Sequence, residues 1–166
     1  LLIIASCSAN VMNTLSANVV RNGLKLCQIE PPQFGYKRHE LMNDIAVATG
    51  GKYFAEETGD DLNLIRMEDL GKVDKVVVGR DETIMLGGHG DEEIIKERVK
   101  ELKVQKDNTK SKPDVVFMSE RIACLNGAIG VIYVGGNSDI EQKEKYDRVD
   151  DAVCAVRSAL DEGILP

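Results

Sequence analysis

The chain of 166 residues carries a formal net charge of −7, with 43% hydrophobic and 30% charged residues. This composition is typical of a soluble globular protein, and the negative charge argues against nucleic acid or an anionic membrane as the main partner. No apolar run approaches the ~20 residues of a membrane span. Cys7, Cys27, Cys124 and Cys154 form no C-x-x-C pair, which fits a reducing compartment better than a disulfide scaffold.

Apolar periodicity and turn signals predict strands that alternate with helices, which is an α/β fold with a sheet flanked by helices on both faces. The first apolar run has no Met before it and is typical of a buried parallel strand, so we expect the chain to be a piece of a longer protein. The predicted strands are Leu1–Ala5, Leu24–Ile29, Lys52–Ala55, Lys75–Val78, Thr83–Leu86 and Ile129–Val134. The predicted helices are Val11–Arg21, Tyr36–Thr49, Asp91–Lys103, Asp114–Leu125 and a long one within Ser138–Pro166. We expect Glu56–Met67 and Val104–Lys112 to be irregular.

The last helix has signals at both ends. Ser138 followed by Glu141 predicts a capping box, and Gly163 followed by Pro166 predicts the end of the helix. Its apolar side chains recur at helical spacing and form one stripe. The stripe consists of Val149, Ala152, Val153, Val156 and Leu160.

The same helix carries Asp147, Asp150 and Asp151 close together. Like charges four residues apart are mildly destabilising unless a cation or a polar site offsets them. On spacing alone, the preferred interpretation is a solvated acidic face, because charge runs on helices are usually solvated.

The turn Gly87-Gly88-His89-Gly90 stands between a predicted strand and a predicted helix, which is where phosphate loops occur. A P-loop ends in Gly-Lys-Ser/Thr, whereas this turn continues with Asp91. A dinucleotide fingerprint needs a third glycine where Glu93 stands. These differences favour a structural turn, with Asp91 as the N-cap of the following helix.

Three blocks resemble group I chaperonins, the GroEL type: DIAVATGG, EDLG and EKYDRVDDAVCAVRSALDEGI. The stretches PPQFG and SERIACLNGAIGVIYVGG are also similar, and the resemblance runs over nearly the whole chain with one short length change near the start. It implies an apical-domain-like sheet flanked by helices, followed by a strand and a long helix of the intermediate domain. The implied domains are the later part of the apical, polypeptide-binding domain at 1–127, the returning intermediate segment at 128–161 and the start of the equatorial domain at 162–166.

The resemblance also implies roles for individual residues. Asp151 matches the carboxylate that orients the water attacking ATP, and Gly127 and Gly163 match hinge positions. The helix Val11–Arg21 resembles a polypeptide-binding helix, although several bulky aliphatics of the family are replaced and the turn ASCSANV before it departs from the family pattern. The substrate-contacting residues implied on this helix are Met12, Leu15, Ser16, Ala17, Asn18 and Arg21.

The implied function is ATP-driven folding of non-native polypeptides inside a homo-oligomeric ring of heptameric type, with a co-chaperonin of the GroES type. ATP and Mg²⁺ would bind to the full-length protein, an ATP-hydrolysing chaperonin. The phosphate-binding loops of the family do not occur in these 166 residues, so we expect the chain alone to bind no cofactor and to hydrolyse no ATP. No metal site, nucleic acid or membrane is expected. The expected location is the bacterial cytoplasm, or else a mitochondrial or plastid matrix.

Two other hypotheses belong to different functional classes. One is a stand-alone apical-type module that holds unfolded peptides without ATPase activity. The other is an α/β enzyme that binds a phosphorylated ligand at the turn formed by residues 87–90.

Overall fold

The structure, a computed structural model, describes residues 1–55, 59–79, 82–127 and 130–164. The chain divides into two compact units, Leu1–Ala128 and Ile129–Pro166. In the described residues, no helix is both long and apolar enough to cross a membrane. The elements of the first unit are β1 (Leu2–Ile4), α1 (Ala9–Asn22), β2 (Cys27–Ile29), α2 (Tyr36–Thr49), β3 (Val73–Val78), β4 (Thr83–Gly88), α3 (Glu92–Asn108) and α4 (Lys112–Leu125), and the second unit holds α5 (Asp139–Glu162).

Within its described residues, the first unit contains two separate two-stranded sheets, whereas the sequence predicted one sheet. β1 and β2 are parallel, with Leu2 opposite Cys27, and α1 forms the crossover between them. β3 and β4 cover the predicted strands Lys75–Val78 and Thr83–Leu86 and form an antiparallel hairpin, with Val73 opposite Gly88. The alternation of strands and helices predicted the elements, but it contains no information on which strands share hydrogen bonds.

α2, α3 and α4 of the first unit pack against one another, and α3 supplies two of its buried apolar side chains. Leu102 of α3 is fully buried and Val99 is 6% exposed. α3 extends to Asn108 and therefore through part of the segment that was predicted to be irregular. Lys, Gln and Glu have high helix propensity, so the helix continues although its last turns have no apolar period. α4 begins at Lys112, two residues before the predicted start, with a proline in its first turn.

Two predicted strands are wrong in the described residues. Lys52–Ala55 is irregular; the Lys52 N–H donates to Asp69 O at 2.8 Å, and no ladder follows. The described part of Ile129–Val134, residues 130–134, is also without strand structure. A strand requires a neighbouring strand for its backbone groups. No described segment of either unit supplies a partner to these two stretches.

α5 has its predicted N-cap, Ser138, and ends before Gly163 as predicted, whereas Pro166 lies outside the described residues. Ser138 Oγ accepts a hydrogen bond from the Glu141 N–H at 3.3 Å. The Glu141 carboxylate accepts from the N–H of Asn137 at 2.9 Å, one residue before the position a standard capping box uses. Hydrogen bonds from Lys145 and from this backbone N–H lower the pKa of Glu141. At the other end, the Gly163 N–H donates to Ala159 O at 2.9 Å.

The apolar stripe of α5 lies largely at the surface. Val153 is 43% exposed, Val156 is 60% exposed and Leu160 is 82% exposed. Val149 is half-buried. The periodicity therefore predicted the helix correctly, but the stripe is not part of a core within the described residues.

Candidate functional site

All six residues predicted to contact substrate lie on α1, the helix that connects β1 to β2. The helix begins after Ser8, whose side chain makes no capping hydrogen bond, and ends at Gly23 in the left-handed conformation with φ +62°. None of its residues is buried. α1 is therefore a surface helix, and most of its circumference is accessible.

α1 exposes several aliphatic side chains, among them Val11 at 45%. Met12 and Val19 are 37% and 38% exposed, and Val20 is 83% exposed. Leu15, one of the predicted substrate contacts, is half-buried. Val20 was not among the predicted contacts. It lies about 100° further around the helix than Val19, away from the face that Met12, Leu15 and Val19 share.

The accessible positions in the second half of α1 form one continuous surface, which we call the outer face: Ser16, Ala17, Val20 and Arg21. All four residues are exposed. At about 100° per residue they follow one another around the helix over an arc of about 140°. Three of them were predicted from the resemblance, and Val20 is placed among them by the structure.

A row of polar side chains, spaced four residues apart, runs along α1. Thr14 Oγ1 donates to Asn10 O at 2.8 Å, and Asn18 Nδ2 donates to Thr14 O at 2.9 Å. Asn22 Nδ2 donates to Asn18 Oδ1 at 2.8 Å. The amide of Asn18, one of the predicted substrate contacts, is thus engaged in hydrogen bonds within the helix.

α1 also differs in charge from the rest of the chain. Residues 1–29 contain no Asp or Glu, although the chain as a whole has a net charge of −7. Their only charged side chains are Arg21, in the last turn of α1, and Lys25. The aliphatic side of α1 therefore has no carboxylate of its own helix beside it.

The second predicted site is Asp151, near the middle of α5. Its side chain is exposed, as are Asp147 and Asp150. Arg148, three residues before Asp151, donates from Nη2 to Glu144 Oε1 at 2.6 Å. The nearest cation along the helix is therefore paired with Glu144 instead of Asp151. The carboxylate of Asp151 is accessible, which its predicted role requires, and the role itself stays a prediction.

Both predicted hinge glycines have positive φ. Gly127 has φ +66°, and Gly163 has φ +87°. A Cβ added to either would meet no atom within 4 Å, so the backbone conformation and not space favours glycine there. The neighbouring Ala128 lies outside the described residues. A hinge role for either glycine stays a prediction.

The turn at residues 87–90 is built into the fold. The His89 N–H donates to Lys72 O at 3.0 Å, and the Gly90 N–H donates to Ala48 O at 3.0 Å. A Cβ on Gly90 would overlap the carbonyl oxygens of Val47 and Ala48. The first amide thus bonds the residue before β3 and the second bonds the end of α2, and we assign the turn a structural role.

The N-terminus of α3 supports the same assignment. Asp91 Oδ1 accepts from the Glu93 N–H at 2.8 Å, which confirms the predicted N-cap. This places a carboxylate at the position where a phosphate would need to bind, and like charges repel.

A cluster that the sequence reasoning missed holds α2, α3 and α4 together. It consists of two carboxylates and two guanidiniums, which we call the ion cluster: Glu40, Asp44, Arg98 and Arg121. Asp44 is 6% exposed and Arg121 is 3% exposed. Arg121 Nε donates to Asp44 Oδ2 at 2.6 Å, and Arg98 Nη2 donates to Glu40 Oε2 at 2.7 Å.

Each guanidinium of the ion cluster bridges both carboxylates. Arg121 Nη2 reaches Glu40 Oε2 at 2.6 Å, and Arg98 Nε reaches Asp44 Oδ1 at 3.1 Å. Burial alone would lower the pKa of both arginines, but hydrogen bonds and charge from Asp44 and Glu40 outweigh it and raise their pKa. One signal was present in the sequence. Glu40 and Asp44 are like charges four residues apart on one helix, which is destabilising unless cations lie nearby.

No protein-family model matches the chain. Among solved structures, the chain is similar to the crystal structure of the chaperonin gp146 from the bacteriophage EL 2 (Pseudomonas aeruginosa), obtained in the presence of ATP-BeFx, with a TM-score of 0.69 and 24% sequence identity. The match covers 99% of this chain and 32% of that chain. The fold is therefore chaperonin-like, and the predicted chaperonin-like α/β fold is confirmed. At this identity the similarity establishes the fold and not an activity.

Proposed function

We propose that the chain is part of a chaperonin-type subunit that binds non-native polypeptides through α1. The observation that carries the proposal is the chaperonin-like fold over 99% of the chain, together with the exposed aliphatic side of α1. Non-native polypeptides expose aliphatic side chains that native proteins bury, so an accessible aliphatic helix binds them selectively.

The expected affinity of one helix is modest. Complete burial of a Val or Met side chain contributes about 1.5–3 kcal/mol, and only the exposed fraction of each side chain remains to be buried. Val20, at 83% exposed, contributes most of this. Several copies of α1 around a ring would raise the apparent affinity through effective concentration, without any new contact.

The domain assignment belongs to the same proposal. Residues 1–127 would form the later part of the apical domain, 128–161 the returning intermediate segment and 162–166 the start of the equatorial domain. The observed division of the chain at Ala128 and Ile129 is compatible with this assignment. In the full-length protein, ATP and Mg²⁺ would be held by parts outside these residues, and a co-chaperonin ring would release the bound polypeptide.

Binding to α1 is tested by substituting its most exposed aliphatic residue. We expect Val20→Ser to weaken capture of a chemically unfolded protein by about three- to tenfold, because the contact area of one valine is lost. Val104→Ser is the matched control, since Val104 is a 55% exposed valine on α3. Equal capture by wild type and Val20→Ser, with both chains folded by circular dichroism, contradicts the proposal.

The coupling to ATP is tested at Asp151 in the full-length protein. A carboxylate that orients the attacking water contributes typically on the order of 10²–10⁴-fold to hydrolysis. We expect Asp151→Ala to slow hydrolysis to that extent while leaving assembly and ATP binding nearly intact. Asp150→Ala serves as the control, because its side chain points about 100° away around α5. Equal loss of hydrolysis in both variants contradicts the assigned role.

A stand-alone polypeptide-binding module remains the second candidate. It is favoured by one observation: α1 and both strands that hold it lie within the first compact unit. The two candidates differ in one measurable property. A chaperonin-type protein releases bound polypeptide when ATP is added to the full-length form, and a stand-alone module does not.

A further inference from the structure

The outer face of α1 combines an aliphatic surface with positive charge in a protein that is otherwise acidic. Val20 is the most exposed aliphatic residue of the helix at 83%. Arg21 follows it directly, is exposed and lies in the last turn. Among the described residues, no carboxylate lies within the ion-pair distance of 4.0 Å from Arg21.

We infer that the outer face selects non-native segments that carry Asp or Glu beside aliphatic residues. This rests on the proposed function, since it specifies the class of polypeptide that the same helix binds. Val20 and Ala17 would contact the aliphatic side chains of an extended segment, and Arg21 would pair with its carboxylate.

Charge complementarity supports this occupant. Arg21 is the charged side chain of the outer face, and residues 1–29 contain no Asp or Glu, so a carboxylate bound beside Arg21 meets a cation and no like charge from this part of the chain. A segment bearing Lys or Arg would be repelled by Arg21. The rest of the chain carries a net charge of −9, because residues 1–29 contribute +2 to the total of −7.

The dipole of α1 disfavours a carboxylate at this end of the helix, so the preference for acidic segments depends on Arg21. The C-terminal end of a helix carries partial negative charge on its free carbonyls, which disfavours a carboxylate. α1 ends at Gly23, only two residues after Arg21. Removing the guanidinium should therefore abolish the preference for acidic segments instead of merely reducing it.

The small apolar area of the outer face also supports selection by charge. Ser16 and Ala17 offer little apolar area, so aliphatic contact with Val20 alone gives weak binding. An exposed ion pair contributes about 0.2–1 kcal/mol, which corresponds to at most about a fivefold gain in affinity. On a helix with few aliphatic contacts, this gain is large enough to determine which segments are held.

The test uses three fluorescent, unstructured peptides that share one aliphatic sequence and differ only at two positions, which are Asp, Asn or Lys. We expect the Asp peptide to bind the chain about two- to fivefold more tightly than the Asn peptide, and the Lys peptide to bind most weakly. High salt should remove the difference, since it screens exposed charges. Arg21→Gln should also remove it, whereas Lys100→Gln, an exposed lysine on α3, should leave it unchanged.

The outcomes separate this inference from the proposed function. Equal binding of the three peptides, or a preference that survives Arg21→Gln, overturns the selection of acidic segments even when Val20→Ser weakens all three. Binding of none of the peptides, or binding that Val20→Ser leaves unchanged, overturns the role of α1 itself and the inference with it. Retention of the order Asp, Asn, Lys in wild type and its loss in Arg21→Gln supports the inference.

Discussion

Replacing Arg121 with leucine should destabilise the first unit strongly, because Arg121 is the most buried member of the ion cluster. Its side chain is 3% exposed and that of Asp44 is 8% exposed. Arg121 donates three hydrogen bonds, two to Asp44 at 2.6 and 3.0 Å and one to Glu40 at 2.6 Å. In the Arg121→Leu variant, a buried carboxylate loses its closest cation.

The size of the stability loss in Arg121→Leu depends on the hydrogen bonds that Arg98 still makes to the two carboxylates. Removing one partner of a buried ion pair typically costs about 3–5 kcal/mol. Arg98 still donates to Asp44 at 3.1 Å and to Glu40 at 2.7 Å, so we expect the lower end, about 3 kcal/mol. With a urea dependence of about 2 kcal/mol/M, the midpoint of unfolding should fall by about 1.5 M.

The assay is urea unfolding followed by far-ultraviolet circular dichroism. Lys96→Leu is the control, because it removes an exposed ion pair with Glu92, at 3.2 Å, within the same unit. That pair is worth about 0.3–0.5 kcal/mol. In addition, Arg121→Leu combined with Asp44→Leu should lose less stability than Arg121→Leu alone, because the unpaired buried carboxylate is gone. A loss below about 1 kcal/mol for Arg121→Leu, or a double variant less stable than the single one, would refute the reasoning.

Three further predictions concern the backbone and the caps. Gln33 has φ +62°, a left-handed conformation that glycine adopts more easily, so Gln33→Gly should stabilise the protein by about 0.5–1 kcal/mol in thermal unfolding. The control Gln105→Gly, within α3, should destabilise it. A loss of stability in Gln33→Gly contradicts this prediction. Gly90→Ala should destabilise the protein by about 1–3 kcal/mol, because the added Cβ overlaps carbonyl oxygens at the end of α2. The control Gly135→Ala places its Cβ in open space and should change stability by less than about 0.5 kcal/mol. Equal effects of the two substitutions would argue against the structural role of the turn. The pKa of Glu141 is lowered in the folded state, so the cap that its carboxylate forms stabilises α5 above the ordinary pKa of glutamate, and this stabilisation is lost as the pH falls through the lowered pKa. Amide hydrogen exchange in the first turn of α5 should therefore differ between wild type and Glu141→Gln at neutral pH and become equal in acid. A difference in exchange that persists in acid contradicts this prediction.

Local patterns predicted the helices well. α2 and α5 have caps and apolar periods that act within a few residues, and the structure places both helices where the sequence predicted them. The two strands of the β3–β4 hairpin were predicted for the same reason, since they flank a short polar turn in the sequence. α3 was predicted too short, because helix propensity extends it beyond the last apolar period.

Features that depend on distant residues were missed. Residues 130–134 have the composition of a strand, but the described chain offers them no partner. The ion cluster joins Asp44 to Arg121, which is 77 residues away in the sequence. Val20 was not recognised as exposed because a helical period shows which residues share a face and not which face contacts the rest of the unit.

Binding of an unfolded protein, compared with its native form, tests the central claim most directly. The substrate is a secreted protein that stays unfolded once its disulfides are reduced and alkylated, and the comparison is the same protein in its oxidised, native state. Isothermal titration of both forms into the chain should show binding of the unfolded form alone, with a negative heat-capacity change from burial of apolar surface on α1. Binding of both forms with equal affinity, or of neither, would contradict a chaperonin-type role for this helix.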